Sequence, residues 1–300
     1  MSAEDQGAVA CIGVFDGVHL GHRALIAQAR AIADAQGLPL VVVTFDPHPM
    51  AVVRPELAPP ALATLAERRF LLFDAGADDV FVLPFTPEVA QWSPEDFIHR
   101  VLHDSIHAHA VVVGENFRFG HRAAGTVDTL REAGERYHFD VIEVGLAADA
   151  EPWSSTRVRT AIAAGDVIEA ARVLGRPYDV TGTVVHGDHR GRELGFPTAN
   201  LAWAGTPVIP ADGVYAGWLV VGADRHPGAI SVGTNPQFAG VERRIETYVL
   251  DRDDLDLYGA EVTIVFIERL RGQLVFEGLP ALIEQMGLDV ARTREVLGLR

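Results

Sequence analysis

The hydrophobic periodicity of this chain changes once, at Gly175-Arg176-Pro177, and that change limits the fold more than any other feature. Upstream, short apolar runs alternate with stretches whose apolar residues recur every three or four positions, the pattern of strands joined by amphipathic helices. Downstream, short strands follow one another, parted by glycine and proline. Three hundred residues divided this way predict two domains, 1–177 and 178–300, each with enough apolar content for its own core. The first half reads as α/β on a parallel sheet. The second reads as all-β, a small antiparallel barrel with a terminal helix.

In the first half, residues 9–15, 39–45, 79–84, 110–113 and 139–144 read as strands. Residues 22–35, 64–75, 94–103 and 126–136 read as helices. In the helix over 64–75, Leu65, Phe70, Leu71 and Phe73 form the apolar set, and Glu67, Arg68 and Arg69 are expected in solvent. Ser93 and Pro94 open the next helix as N-cap and first helical residue. The second half predicts strands over 178–185, 213–221, 226–233, 245–250 and 262–266, another beginning near Pro197, a turn at 235–238, and helix over 279–286 and 291–297.

The first strand-to-helix turn is Cys11-Ile12-Gly13-Val14-Phe15-Asp16-Gly17-Val18-His19-Leu20-Gly21-His22. In a parallel sheet such a turn lies at the carboxyl ends of the strands, where open α/β folds bind ligands. The helix that follows aims unpaired N–H groups and its positive dipole end at that place. Gly17 and Gly21 admit a phosphate to the main chain, and His19 and His22 add side-chain donors. An isolated His-x-Gly-His is more often a plain surface turn. Opening a helix directly after the first strand, this one predicts an anion site.

Three further loops fall at the same sheet edge. Asp46-Pro47-His48-Pro49 ends the second strand, where two prolines stop it and leave a polar pair. Asn116 and Arg118 follow the fourth strand; the asparagine either contacts a nucleotide or merely holds its own turn. Trp153-Ser154-Ser155-Thr156-Arg157-Val158-Arg159 places hydroxyls and two arginines at a helix start. That is either an ordinary N-cap or a second phosphate clamp.

Composition narrows the chemistry. All 25 basic residues are arginine, so the lysine of a Walker loop, of a protein kinase or of a Schiff base is excluded. The net charge of −16 argues against nucleic acid and anionic membrane as partners. A single cysteine, Cys11, forbids an internal disulfide. With an acidic amino terminus unlike a signal peptide, it predicts a cytoplasmic protein. Self-association is left open. His103, His107 and His109 beside Asp104 have metal-ligand spacing, but they lie at a helix end where histidines meet solvent and favour the dipole, so no zinc site is expected.

In the second half, Gly187, Gly191, Arg192 and Gly195 crowd a loop able to wrap phosphates. Thr198 and Asn200 alternate on the strand that follows and so share a face, with oxygens suited to Mg²⁺. Glu246, by pattern alone, is a solvated edge-strand charge.

These segments resemble the bifunctional riboflavin kinase/FAD synthetase family of bacteria along nearly the whole chain. The likeness rests on G-x-F-D-G-x-H-x-G-H at residues 13–22, T-F-D-P-H-P at 44–49, N-F-x-F-G at 116–120, S-S-T-x-x-R at 154–159, P-T-A-N at 197–200, and E-T with D-L-Y-G at 246 and 256–259. It implies a Rossmann-like nucleotidyltransferase domain followed by a riboflavin kinase barrel, with ATP, riboflavin and FMN as substrates and Mg²⁺ as cofactor. By the same resemblance His19 and His22 hold ATP phosphates. Gly13, Phe15, Gly17, Gly21, Asn116, Ser155, Thr156, Arg159, Gly187, Gly191, Arg192 and Gly195 line the nucleotide sites. Asp46, Pro47, His48 and Arg271 contact flavin, Thr198 and Asn200 hold the metal, and Glu246 is the general base of the kinase. Gln237 departs from the family's usual threonine at its turn position. The competing expectations are a flavin- or nucleotide-binding regulator without turnover, and an adenylyltransferase with an inactive barrel.

Overall fold

The computed structural model describes residues 7–145, 149, 151–187, 196–234 and 243–299. The chain divides into two compact units, Met1–Ser155 and Thr156–Arg300.

The first unit runs β1 (Ala8–Ile12), α1 (Leu20–Gln36), β2 (Leu40–Asp46), α2 (Pro49–Val53), α3 (Leu65–Asp74), β3 (Asp79–Pro84), α4 (Pro94–Phe97), β4 (Ala108–Gly114), α5 (Val127–Tyr137) and β5 (Asp140–Val144). The strands form one parallel sheet in the order β3-β2-β1-β4-β5. Every residue of β1 is buried, as a central parallel strand requires. Alternation along it splits the core in two. Ala8, Ala10 and Ile12 join Phe97, Leu102 and Leu130 on one face. Val9 and Cys11 join Ile26, Ala29 and Leu72 on the other. The Cys11 thiol is fully buried, and burial pushes its pKa up, so it packs as a small apolar group.

Local signals set the helix ends. His19 caps α1 and Gly37 closes it in the left-handed conformation. Thr64 with Glu67, and Ser93 with Asp96, form capping boxes at α3 and α4. α4 continues as a π-helical turn over Ile98–His103.

Three expectations for this unit need correction. β1 stops at Ile12 rather than residue 15, because Phe15 adopts a φ of 54° that no strand allows. The Asp46-Pro47-His48-Pro49 segment ends β2 but at once starts the short helix α2. Pro49 takes its first position, and the His48 side chain accepts the Met50 N–H at 3.1 Å. On α3 the buried side chains are Arg68, Leu71 and Leu72, whereas Phe70 is 70% exposed and Phe73 42%. Arg68, expected in solvent, is 5% exposed.

The second unit carries α6 (Ser155–Ala164), which starts on the last residue of the first, then α7 (Val167–Leu174), β6 (Tyr178–Val185), β7 (Thr198–Ala202), β8 (Gly213–Val221), β9 (Asp224–Thr234), β10 (Arg243–Val249), β11 (Glu261–Arg271) and α8 (Leu279–Val296). Its strands close into an antiparallel barrel in the order β10-β7-β6-β11-β8-β9. Tyr178, Tyr215 and Phe266 are its largest buried side chains, and the Tyr178 hydroxyl donates to the Val208 carbonyl at 2.6 Å. β11 extends five residues past the expected end, to Arg271, and the two expected terminal helical stretches are one continuous α8. The turn expected at 235–238, with Gln237, lies outside the described residues.

Leu130 is fully buried on α5 within the first core cluster. Leu130→Ala is expected to cost about 2–5 kcal/mol in urea unfolding. A loss under about 1 kcal/mol would show that this helix face is not part of the core.

Candidate active sites

The strand order reverses direction between β1 and β4, the switch point at which an open parallel sheet leaves a crevice beyond its carboxyl ends. The Gly13–His22 turn follows β1, and Asn116 lies exposed in the turn after β4, so these two sequence-selected segments flank that crevice. Arg118 is tied back to the Phe117 carbonyl at 2.9 Å.

The histidine turn is strained. Phe15 (φ 54°), Gly17 (φ 79°) and Val18 (φ 42°) are all left-handed, and for a β-branched valine that is a true outlier. The buried Asp16 carboxylate holds the turn by accepting the N–H of Leu62 at 3.1 Å and of Ala63 at 3.3 Å. The Asp16 carbonyl accepts the hydroxyl of Ser155, the last residue of the first unit, at 2.9 Å. The Val14 carbonyl accepts the Thr44 hydroxyl at 2.9 Å and the Arg68 guanidinium at 3.1 Å.

His19 and His22 stack with ring centroids 3.6 Å apart. His19 Nδ1 accepts the His22 backbone N–H at 3.3 Å, which leaves the proton of a neutral His19 ring on Nε2 as a donor for an anion. A Cβ on Gly21 would come within 3.1 Å of the His19 ring and of the Trp153 carbonyl, so any side chain there would crowd the stacked pair. His22 Nδ1 is buried without a partner. Burial, and secondarily the charge of His19, lower the His22 pKa well below the usual value, so this ring is neutral at neutral pH.

The flavin-side expectation falls on Asp46 at the end of β2, with Pro47 and His48 leading into α2. Asp46 accepts from Arg68 at 3.3 Å. Thr156 and Arg159 follow Ser155 on α6, Thr156 exposed and Arg159 half-buried. Arg157 pairs with Glu169 of α7 at 2.8 Å.

In the barrel the register decides the geometry. Thr198 stands opposite Tyr248, and Asn200 opposite Glu246. Ile245, Thr247 and Val249 are buried, so Thr198, Asn200 and Glu246 share the alternate face of β7 and β10. Gly187 lies against the Asn200 amide so closely that a Cβ there would come within 2.3 Å of its nitrogen. Asn200 Oδ1 is buried and unpartnered, the state of an acceptor that suits a cation. Thr198 lines an open cavity with Pro197, Leu257 and Tyr258; Asn200 lines a second with Gly187, Trp203 and Arg244. Arg271 forks onto Asp289 of α8 at 2.6 and 2.9 Å. Gly191, Arg192 and Gly195 lie outside the described residues.

Of the histidine cluster near residue 103, the described residues bring together His99, His103 and Asp104, all exposed, in place of the expected set with His107 and His109. His99 stands four residues before His103 in the same helical segment, with rings 5.6 Å apart.

A family model for FAD synthetase matches residues 1–157, and one for riboflavin kinase matches residues 174–297. The chain belongs to the bifunctional riboflavin kinase/FMN adenylyltransferase family. A member from Listeria monocytogenes is 37% identical over 97% of this chain and 92% of its own. Another from Escherichia coli strain K12 is 35% identical over 99% and 95%. A crystal structure described as a macrolide-efflux protein from Streptococcus pneumoniae superposes with a TM-score of 0.85 at 32% identity, covering 97% of this chain and 96% of that one. Among the described residues here, no helix is long and apolar enough to cross a membrane.

The partly buried His22 ring, with its Nδ1 enclosed and its pKa lowered by desolvation, refuses a proton that the unfolded chain accepts below about pH 6.5. The unfolded state therefore binds more protons in that range, and stability falls as pH drops below it. His22→Asn, which cannot titrate, is expected to flatten the fall in melting temperature between about pH 7.5 and about pH 5.5. Equal falls for the two proteins would show that another group carries the dependence.

Proposed function

We propose that this chain makes FAD from riboflavin in two ATP-dependent steps, one in each half. In the barrel, the ribityl hydroxyl of riboflavin attacks the γ-phosphorus of ATP, giving FMN and ADP. In the amino-terminal half, a phosphate oxygen of FMN attacks the α-phosphorus of a second ATP, and pyrophosphate leaves. The observation that carries this reading is the presence of two lysine-free groupings suited to phosphate, one in each half. One is the stacked histidine pair at a helix start, and the other is the Thr198, Asn200 and Glu246 face.

In this reading His19 and His22 donate to the ATP phosphates beside Gly13, Phe15, Gly17, Gly21 and the N–H groups that open α1. Asn116 takes the nucleoside, while Ser155, Thr156 and Arg159 hold the leaving pyrophosphate. Asp46, Pro47 and His48 receive the flavin. For the kinase step, Gly187, Gly191, Arg192 and Gly195 wrap the triphosphate, and Glu246 accepts the proton of the attacking hydroxyl. Arg271 contributes to the flavin side. Thr198 and Asn200 would hold Mg²⁺, and the orphaned Asn200 Oδ1 fits that role. When bound, the ion would neutralise phosphate charge. The buried lone Cys11 accords with a reducing, cytoplasmic setting.

Incubation with riboflavin, ATP and Mg²⁺, with chromatographic separation of the flavins, tests both steps. His22→Ala is expected to lower FAD formation from FMN by about 10²-fold or more and to leave FMN formation intact. Glu246→Ala is expected to lower riboflavin phosphorylation by about 10²–10⁴-fold and to spare adenylylation of supplied FMN. Loss of both steps in either folded variant contradicts the division of labour.

Gly187→Ala tests the barrel site without removing a polar group. The new methyl must displace the Asn200 amide, so phosphorylation should fall at least about tenfold with adenylylation unchanged. Wild-type phosphorylation by this variant would show that the Asn200 position does not matter.

A further inference from the structure

Arg68 is one of the few charged side chains that the first unit buries, and its position has a functional reading. It lies on the core-facing stripe of α3 with Leu71 and Leu72, at 5% exposure. One guanidinium nitrogen donates to the Val14 carbonyl at 3.1 Å, inside the strained turn that leads to His19. The other donates to the Asp46 carboxylate at 3.3 Å, at the start of the segment assigned above to flavin. Two neighbouring parallel strands thus end in loops clasped by one planar cation. Burying a guanidinium is costly unless its bonds are worth more than its lost hydration. Desolvation is the largest influence on its pKa and lowers it, while Asp16 and Asp46 act in the opposite sense. Nε is buried with no partner, so Arg68 is held by these two loops and not by a fully satisfied polar network. A core position served only for packing would be filled at lower cost by leucine or methionine.

We propose that Arg68 is a positioning residue for FMN adenylylation: by bonding both loops, it fixes the spacing between the ATP-binding turn and the flavin-binding segment. The proposal rests on the assignment of adenylyl transfer to this half. The reaction needs a phosphate oxygen of FMN in line with the α-phosphorus of ATP, so the two loops must keep their separation to within a fraction of an ångström. Arginine suits the task because its rigid fork spans two acceptors; lysine offers a single point of charge and can serve either loop but not both at full strength.

The test is steady-state kinetics of FAD formation from FMN at saturating ATP for wild type, Arg68→Lys and Arg68→Met, with riboflavin phosphorylation by the same preparations as internal reference. Arg68→Met should lower kcat about 10²-fold and raise KM for FMN, as expected for a misplacement of about 1 Å. Arg68→Lys should recover about tenfold of that loss and keep a raised KM for FMN, since it retains the charge but only one of the two bonds. A residue that served only folding would lower the active fraction without moving KM for FMN. Should Arg68→Met fail to fold, Arg68→Lys alone decides: a raised KM for FMN beside an unchanged KM for riboflavin supports the role. Wild-type values for FMN in Arg68→Lys, or in both variants, overturn it. A wild-type chain that phosphorylates riboflavin yet forms no FAD overturns the underlying assignment as well, and so separates the two failures.

Discussion

A triphosphate must be gripped here without a single lysine, and both halves of the chain are built around that constraint. On the proposed reading, where lysine would supply a mobile point charge, the first unit would use a helix start, a stacked pair of histidines and a serine hydroxyl bonded to the same turn. The barrel would use the oxygens of Thr198, Asn200 and Glu246, which share one face of paired strands. The histidine grouping is held in place by bonds within the fold. Fixed donors lose little freedom on binding, which is how positioning rather than side-chain reach can carry phosphoryl and nucleotidyl transfer.

Rigidity at the histidine turn is obtained against its own backbone preference. Phe15 and Val18 would not choose left-handed conformations, and they persist because their side chains are fully buried and the Asp16 carboxylate takes the Leu62 and Ala63 N–H groups. Bonds from Thr44 and Arg68 to Val14, and from Ser155 to Asp16, pin the same loop from three directions in sequence. Strain concentrated in one loop, and countered by its surroundings, is the usual mark of a functional segment. In the barrel the comparable constraint is register. A slip of one residue between β7 and β10 would turn Glu246 away from Asn200.

Much of this was legible in the chain because the signals are local. β3, β6 and β8 begin and end where β-branched runs meet glycine, proline or acidic residues, and the serine-proline start of α4 is written in two residues. That Thr198 and Asn200 share one face needed only the two-residue repeat of a strand. What escaped was set by distant partners. Arg68 reads as solvated beside Glu67 and Arg69, since nothing nearby announces acceptors 54 and 22 residues away. Its spacing from Leu65 and Leu72 was the available sign, placing a cation on the apolar stripe. The exposed Phe70 and Phe73 mislead in the opposite direction. His99 lies four residues before His103, the spacing of one helical turn, and was open to the same counting; His107 and His109 drop out because the helical segment ends at His103.

The central claim is that one chain holds ATP at two independent places, and stoichiometry tests it most directly. Calorimetric titration of the intact protein with a non-hydrolysable ATP analogue in the presence of Mg²⁺ should resolve two binding events per chain, of which His19→Ala with His22→Ala abolishes one. A single event per chain in the wild type, or none, would contradict the account.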